Sequence, residues 1–331
     1  MMENSNILNV SDLRVEFKTR FGIARVVNGV SFSIDRGETL GIVGESGCGK
    51  SMTALAILGL VPSETGRVYG KHVLLDGENL LQANEQRLRE VRGKEISMIF
   101  QEPMTSLNPV YTVGNQIAET VRVHEGLGRH EALNKAVEML RAVGIPAPES
   151  RVREYPHQMS GGMRQRVMIA MALACQPKLL IADEPTTAVD VTVQAQIFDL
   201  LKELQNRTGT AIILITHDMA VIANVAERVS IMYAGYIVEE GPVREIITNP
   251  RHPYTRGLLR CVPHFKTKPG AAREELMEIP GIVPDATQIG LDCPFHLRCK
   301  YAKGRCKEKM PPSTLVGNGH TVACWSAGGT P

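Results

Sequence analysis

A glycine-rich loop between an apolar run and a helix-like segment constrains the fold of this chain most. The loop reads Gly44-Glu45-Ser46-Gly47-Cys48-Gly49-Lys50-Ser51, after the apolar run Thr39–Val43 and before the helix-like segment Ser51–Leu60. It matches G-x-x-x-x-G-K-[ST] in the strand-to-helix context that this pattern requires. Glycines let backbone N–H groups converge on phosphate oxygens, and the following helix adds its positive end. The sequence therefore predicts an α/β core that binds a nucleotide.

The side chains of this loop have separate expected roles. Lys50 is predicted to reach the β and γ phosphates, and Ser51 to ligate Mg²⁺, which prefers hard oxygen ligands. The other residues predicted to contact the nucleotide here are Gly44, Glu45, Ser46, Gly47, Cys48, Gly49 and Met52. The loop alone indicates a nucleotide but not the chemistry performed on it.

Two later apolar runs end in polar residues. Leu179–Ala182 is followed by Asp183 and Glu184, and Ile212–Thr216 is followed by His217. Ligands of α/β folds bind at the carboxyl edge of the sheet, where both runs would deliver these side chains. We expect Asp183 to join the Mg²⁺ shell and Glu184 to polarise the attacking water as general base. A lone histidine in the position of His217 is more often structural than functional.

A serine and a glycine pair introduce another predicted helix. The segment Met159–Val167 reads Met-Ser-Gly-Gly-Met-Arg-Gln-Arg-Val. Ser160 is suited to cap the helix, and Gly161 and Gly162 expose its first N–H groups, which makes a second anion site. One nucleotide hardly needs two such sites so far apart in sequence. The economical interpretation is that the second site contacts a nucleotide held by a partner chain.

With these motifs in view, the chain resembles the ATP-binding-cassette (ABC) ATPases. Ser160 to Gly162 resemble the signature sequence of that family, Gln101 its Q-loop, Thr187–Asp190 its D-loop and His217 its switch histidine. The resemblance implies that His217 contacts the γ-phosphate, that Gln101 ligates Mg²⁺ and that Asp190 contacts the nucleotide. It also implies that two cassettes pair head to tail, with ATP clamped between the loop of one and the signature of the other.

The resemblance also implies an architecture. We expect a P-loop ABC ATPase domain over residues 1–255, with a RecA-like core, an N-terminal antiparallel β layer and a helical signature subdomain at roughly 105–175. A small Cys-rich C-terminal domain is expected over residues 256–331. Phe21 is predicted as the aromatic residue that stacks on adenine, with Phe17 as the alternative.

Three stretches resemble, more narrowly, the D-type ATP-binding subunits of dipeptide, oligopeptide and nickel importers: Phe100–Pro109, Tyr155–Gln158 and His252–Thr255. This implies an ATP-hydrolysing subunit that energises peptide import, peripheral at the cytoplasmic face of the inner membrane. The implied partners are an F-type ABC ATPase subunit, two transmembrane permease subunits and, indirectly, an extracytoplasmic peptide-binding protein. Met104–Tyr111 resembles the surface that receives the permease's coupling helix.

Four cysteines near the C-terminus are spaced C-x5-C-x6-C-x17-C: Cys293, Cys299, Cys306 and Cys324. This is not the C-x2-C spacing of ordinary zinc ribbons. Zinc, plain thiols and a disulfide stay open on the residues alone, with His296 and His320 as substitute ligands. A proline-rich tail with few apolar residues would gain stability from a metal. The family resemblance favours a 4Fe-4S cluster on the four cysteines.

Composition narrows the function classes. The net charge is +2, which argues against a nucleic-acid partner, and no apolar run approaches the roughly 18 residues that a membrane helix needs. The first residues lack a signal peptide's features, so we expect a cytosolic chain with reduced cysteines.

Three alternatives to the peptide importer remain. One is a soluble ABC ATPase of translation or DNA repair, although these typically carry two cassettes or a long coiled-coil insertion, and each motif occurs once here. Another is a regulatory module with an inactive site, against which Glu184 and His217 argue. The third is a same-family importer of nickel or oligosaccharides, which the sequence does not separate from a peptide importer.

Overall fold

The computed structural model describes four stretches of the chain: residues 6–101, 106–186, 191–261 and 279–327. The chain divides into two compact units. Unit one comprises Met1–Leu8, Ile34–Glu38 and Leu75–Leu214. Unit two comprises Asn9–Ser33, Thr39–Leu74 and Ile215–Pro331. Each unit is therefore assembled from segments that are distant in sequence.

Strands and helices alternate through most of the chain, as an α/β protein requires. The strands are β1 Asn6–Thr19, β2 Gly22–Asp35, β3 Thr39–Val43, β4 Gly66–Tyr69, β5 His72–Leu75, β6 Glu78–Asn79, β7 Ile96–Ile99, β8 Leu179–Asp183, β9 Ala211–Thr216, β10 Arg228–Tyr233, β11 Tyr236–Pro242, β12 Thr314–Gly317 and β13 His320–Val322. The helices are α1 Lys50–Ile57, α2 Glu85–Val91, α3 Val113–Glu125, α4 Arg129–Ala142, α5 Pro148–Arg151, α6 Gly161–Leu173, α7 Val191–Thr208, α8 Met219–Val225, α9 Val243–Thr248, α10 Pro253–Arg260 and α11 Gly304–Glu308.

Unit one contains the parallel strand pair β7 and β8. Ile96 pairs with Leu179, and Ile99 pairs with Ala182. Every residue of β8 is buried, as expected of a parallel strand covered on both faces. Asp183 is the last residue of β8, so the strand ends on a carboxylate and Glu184 follows it directly.

Helices α3 to α6 give unit one its helical part, within the range predicted for the signature subdomain. The hydroxyl of Thr112 accepts a hydrogen bond from the backbone N of Asn115 at 3.3 Å and so caps α3, which ends at Gly126 with a φ of 69°. Gly114 in the first turn touches the loop after α5, since a Cβ there would lie 2.2 Å from a methyl group of Val152. The helical stretch is therefore interrupted at Gly126, between α3 and α4.

Unit two contains one sheet in which β12, β13, β11, β10 and β3 lie side by side in that order. β10 runs parallel to β3 and antiparallel to β11. The turn between β10 and β11 is formed by Ala234 and Gly235, whose φ angles are 46° and 83°, as a tight two-residue hairpin requires. These two residues therefore close a β-hairpin of β10 and β11.

The N-terminal β layer predicted from alternating apolar residues is also present. β2, β1 and β5 are adjacent in that order, and β4 pairs antiparallel with β1. Val10, Leu13 and Val15 are buried at roughly alternate positions of β1. The layer therefore has one buried face, as the alternation indicated.

The C-terminal strands are joined to the sheet of unit two. Glu239 of β11 pairs with Val322 of β13, and its buried carboxylate accepts hydrogen bonds from His320 Nε2 at 2.8 Å and the His252 backbone N at 3.0 Å. This link ties the end of the chain to strands that precede residue 255. The domain boundary at 255 stays a prediction.

Candidate nucleotide-binding site

The phosphate loop in unit two depends on glycine at two positions. A Cβ at Gly44 would lie 2.1 Å from the carbonyl oxygen of Met232, and one at Gly49 would lie 2.6 Å from the carbonyl oxygen of Val26. Gly49 also has a φ of 104°, which side chains of L-residues strain to adopt. The loop backbone is therefore pressed against its neighbours, and only glycine fits.

Lys50 begins helix α1 and is buried. Its Nζ donates to the carbonyl oxygens of Gly44 at 2.8 Å and Glu45 at 3.0 Å. Ser46 and Gly47 are exposed, so the outer side of the loop is open. An ammonium, exposed backbone and the start of a helix together fit a phosphate group.

Ser51, Met52 and Cys48 are the other side chains in and beside the loop. Ser51 and Met52 are half-buried in the first turn of α1, where the hydroxyl of Ser51 supplies the hard oxygen that Mg²⁺ prefers. Cys48 is buried, and that burial raises the pKa of its thiol. A protonated thiol is a poor nucleophile, so Cys48 contributes packing rather than reactivity.

The predicted adenine-stacking residue stands in the turn between β1 and β2. Phe21 is 78% exposed, and the guanidinium of Arg20 lies 4.7 Å from the centroid of its ring. The alternative, Phe17, packs against Gly66, where a Cβ would lie 2.9 Å from its ring. The exposed ring of Phe21 is the one with a face available for stacking, and its role stays a prediction.

In unit one, the carboxylates that end β8 meet the predicted Q-loop residue. Nε2 of Gln101 donates to Oε2 of Glu184 at 2.9 Å. Asp183 is 3% exposed, whereas Glu184 is half-buried and has a φ of 46°. A positive φ at a glutamate is a strained conformation, of a kind that clusters at functional sites. The two carboxylates thus differ in setting, with Asp183 enclosed and Glu184 held outward beside an amide.

The signature segment forms the start of α6, as predicted. The Ser160 hydroxyl accepts a hydrogen bond from the backbone N of Met163 at 3.3 Å, which is the expected cap. Ser160 and Gly161 are both exposed, and Gly161 has no non-neighbouring heavy atom of the described residues within 4 Å of its ideal Cβ. Gly162 is tighter, with Val193 at 3.2 Å. The start of the helix therefore faces open space in its own chain.

Of the predicted residues His217 and Asp190, the structure describes only His217. His217 follows β9 directly, is exposed, and precedes Asp218, whose carboxylate caps α8 through the backbone N of Ala220 at 2.7 Å. Asp190 lies outside the described residues, as do the rest of the predicted D-loop and the part of the predicted permease surface at 104–105. His217 and Asp190 therefore keep their predicted roles without a geometric test.

Comparison with known proteins decides the family. A family model described as "ABC transporter" matches residues 27–187, and one described as "Oligopeptide/dipeptide transporter, C-terminal region" matches residues 238–306. The "Probable peptide ABC transporter ATP-binding protein y4tR" of Sinorhizobium fredii is 53% identical and covers 96% of this chain and 94% of its own length. The chain belongs to the ABC transporter family, in its oligopeptide/dipeptide branch.

Other members of this family extend the comparison. The "Oligopeptide transport ATP-binding protein OppD" of Bacillus subtilis is 52% identical over 98% of this chain and 90% of its own length. Among solved structures, the dimeric bacterial ABC transporter cassette MJ0796 matches with a TM-score of 0.63 and 28% identity, over 72% of this chain and 99% of its own. The ABC ATPase fold predicted from the motifs is confirmed.

The iron–sulfur prediction is wrong. Among residues 6–101, 106–186, 191–261 and 279–327, no group of three or more histidine, cysteine, aspartate and glutamate side chains is placed to hold a metal ion. Burial, with a smaller contribution from the other three cysteines, raises the pKa of Cys293 to about 12.

Other contacts hold this segment together instead. The guanidinium of Arg305 lies 3.6 Å from the ring centroid of Trp325, and the backbone N of Cys293 donates to the carbonyl of Cys306 at 2.9 Å. Of the substitute ligands, Nδ1 of His296 lies 3.0 Å from Asp292, and His320 is bonded to Glu239. None of the seven cysteines, all of which lie in the described part of the chain, forms a disulfide.

Sequence reasoning missed two residues that contact the loop. The hydroxyl of Tyr254 accepts a hydrogen bond from the backbone N of Glu45 at 2.9 Å, and the Arg298 guanidinium pairs with the Glu45 carboxylate at 2.6 Å. Tyr254 lies in the stretch His252–Thr255, which indicated the importer branch but not a contact with the loop, and Arg298 lies in no motif; 209 and 253 positions separate them from Glu45. No local signal in the sequence could have found them.

Proposed function

We propose that this chain is the ATP-hydrolysing subunit that energises import of dipeptides or oligopeptides by a heteromeric ABC transporter. The observation that carries the proposal is the presence in one chain of both family regions, the ATP-binding cassette and the peptide-transporter C-terminal region. A peptide ABC transporter ATP-binding protein aligns with 96% of the chain, so the likeness is not confined to the cassette.

In unit two, the proposed work is phosphate binding. Lys50 rests on two loop carbonyls and would exchange them for phosphate oxygens, since an ammonium prefers an anion to a neutral acceptor. Ser51 would supply a hydroxyl ligand to Mg²⁺, and His217 would contact the γ-phosphate. The exposed ring of Phe21 would stack on adenine.

In unit one, the proposed work is hydrolysis. Asp183 and Gln101 offer oxygen ligands of the kind that Mg²⁺ accepts, and bound Mg²⁺ would offset the phosphate charge. Glu184 would orient the attacking water and take its proton. The hydrogen bond from Gln101 holds the Glu184 carboxylate in place. The backbone of Glu184 has a positive φ and so leaves the extended conformation of the buried strand β8 at this residue.

The proposed ATP site is shared between two chains. Ser160, Gly161 and Gly162 present an anion site that faces open space in this chain, and the related cassette MJ0796 is dimeric in a post-hydrolysis state bound to ADP and Pi. We infer that the signature of this chain contacts a nucleotide held by a second ATPase subunit, with Asp190 at the same interface. An F-type subunit is the proposed partner.

Membrane attachment is proposed through partner subunits. No helix in the described part of the chain is long and apolar enough to cross a bilayer. Two permease subunits would receive this chain at the cytoplasmic face, near Met104–Tyr111, and an extracytoplasmic binding protein would deliver the peptide. The Cys-rich C-terminal segment is proposed to brace the cassette without a metal.

Reconstitution tests the proposal. The chain is combined with its permeases and second ATPase in vesicles, and uptake of a labelled oligopeptide is measured with ATP or ADP on the side of the ATPase. We expect uptake with ATP alone and none when Lys50→Ala replaces the natural chain. Uptake of nickel or an oligosaccharide in place of peptide would refute the proposed cargo, and co-purification with ribosomes or DNA in place of permeases would refute the transporter assignment.

A further inference from the structure

Arg298 of the C-terminal segment, residues 279–327, contacts the phosphate loop. Nη1 and Nη2 of Arg298 donate to Oε2 and Oε1 of Glu45 at 2.6 and 3.0 Å. The Arg298 side chain is only 4% exposed, and that of Glu45 is 28% exposed. A bidentate pair of this kind fixes both the orientation and the charge of the carboxylate. Because Glu45 directly follows Gly44, the contact lies inside the loop itself.

Arg298 is held in place independently of Glu45. Its Nε donates to the carbonyl of Pro280 at 2.9 Å, and Nη2 also donates to the carbonyl of Ile279 at 3.0 Å. The guanidinium carbon lies 5.7 and 5.9 Å from the ring centroids of Tyr233 and Phe295. The cation is therefore positioned by backbone carbonyls of the C-terminal segment and by the rings of Phe295 and Tyr233 of β10, and the Glu45 carboxylate binds to it.

The negative charge of Glu45 connects this contact to the binding of phosphate. The loop presents backbone N–H groups and Lys50 to bind phosphate, yet its second residue is an acid. An uncompensated carboxylate in the loop would repel phosphate, and the repulsion would be strong because the surroundings are partly desolvated. Glu45 also donates its backbone N to Tyr254 at 2.9 Å, so both its backbone and its side chain are held from the C-terminal side.

We propose that Arg298 is a positioning residue for nucleotide binding, which neutralises Glu45 and holds the loop open for phosphate. The C-terminal segment would then set the affinity of the cassette for nucleotides in addition to bracing the fold. This inference rests on the proposed function, because it requires the loop to bind a nucleotide.

A double-mutant cycle that removes each charge in turn tests the inference on the full chain. Equilibrium binding of ATP, ADP and adenosine is measured for the natural chain, Arg298→Gln, Glu45→Gln and the double variant. We expect Arg298→Gln to weaken ATP binding about tenfold, ADP binding less and adenosine binding hardly at all, since the repulsion scales with phosphate charge. The double variant should recover most of the ATP affinity, because no carboxylate remains to be neutralised.

Arg305→Gln is the matched control, since Arg305 lies in the same segment but contacts Trp325 rather than the loop. It should lower stability without changing the ATP affinity. If Arg298→Gln does not fold, Arg298→Lys replaces it in the cycle, because lysine keeps the positive charge but cannot form the bidentate hydrogen bond to Glu45. We expect Arg298→Lys to lose less ATP affinity than Arg298→Gln would. Adding Glu45→Gln to Arg298→Lys should again restore the affinity.

Three outcomes would overturn the inference. These are a folded Arg298→Gln variant with natural ATP affinity, a double variant no better than Arg298→Gln, and an equal loss for adenosine and ATP. The last two would mean that Arg298 only supports the local fold. Failure of the natural chain to bind ATP would instead refute the proposed function, so the two failures are distinguishable.

Discussion

Substitution of glycine by alanine should affect different properties at the two anion sites: stability and ATP affinity of the chain itself at Gly44, and only turnover of the assembled transporter at Gly161. At Gly44 the added methyl group would lie 2.1 Å from the carbonyl oxygen of Met232 and 2.6 Å from Sγ of Cys48. At Gly161 it would meet no non-neighbouring heavy atom of the described residues within 4 Å. One substitution therefore perturbs the chain's own packing, and the other perturbs only what binds to it.

The sizes of the two effects follow from these contacts. At Gly44 the clashing oxygen belongs to the backbone of β10, so loop and strand must separate, which costs about 3 kcal/mol of unfolding free energy. At Gly161, the first residue of α6, alanine is at least as good a helix former, so the unfolding free energy should change by less than about 1 kcal/mol. The ATP affinity of the isolated chain should fall for Gly44→Ala and not for Gly161→Ala.

The assay combines urea denaturation and ATP binding of the isolated chain with ATP turnover of the assembled transporter. We predict that Gly161→Ala is stable and binds ATP, yet loses turnover in the assembly, because the methyl group fills the space meant for the partner's nucleotide. The reasoning would be refuted if Gly161→Ala destabilised the chain as much as Gly44→Ala does, or if it left assembled turnover unchanged.

Two further predictions concern the base and a buried histidine. Glu184→Gln should keep ATP binding and lower turnover at least about a hundredfold, as loss of a general base does; rapid turnover by this variant in the assembled complex would contradict the assignment of Glu184. Burial lowers the pKa of His252 to about 3, against about 6.5 in an unfolded chain. Between these values the unfolded state binds more protons, so the unfolding free energy should fall as the pH drops from 6.5 towards 3, by up to about 1.4 kcal/mol per pH unit. In the natural chain Nδ1 of His252 accepts a hydrogen bond from the backbone N of Tyr254 at 3.1 Å. His252→Asn supplies an amide oxygen as the acceptor in its place and removes the titration. Urea denaturation between pH 4 and 7 should therefore give a flatter profile for the variant, and an unchanged slope would show that other groups control the acid sensitivity.

The parts of the fold that sequence predicted are those with local causes. The loop around Lys50, the strand that ends at Asp183 and the helix capped by Ser160 each depend on residues within about ten positions of one another. Hydrophobic periodicity, turn glycines and helix caps all act within that range, so a short window of sequence is enough to predict these elements. Helix and strand bounds then agree within a few residues.

The parts that sequence missed depend on distant residues. Strand β13 is three residues long and is held by pairing with β11 and by the bond between His320 and Glu239, which are 81 positions apart. The contact between Glu45 and Arg298 likewise joins a motif residue to one without any local signal. Such pairs exist only once the chain is folded, so no window of sequence predicts them.

The cysteine error has a different physical cause. Spacing shows that four cysteines lie near one another in sequence, but not that the fold places their side chains around one point. Among the described residues no group of three or more such side chains is placed to hold a metal ion, and C-x5-C-x6-C-x17-C does not show this. Arg298, which directly precedes Cys299, pairs instead with Glu45 of the phosphate loop.

The shared ATP site is tested most directly by turnover per chain as a function of chain concentration, with the particle mass measured in each sample. Monomeric samples should bind ATP but hydrolyse it negligibly, and turnover should appear only when chains pair or when the second ATPase subunit is added. A sample that is monomeric by mass and hydrolyses ATP at the full rate of the assembly would contradict the account.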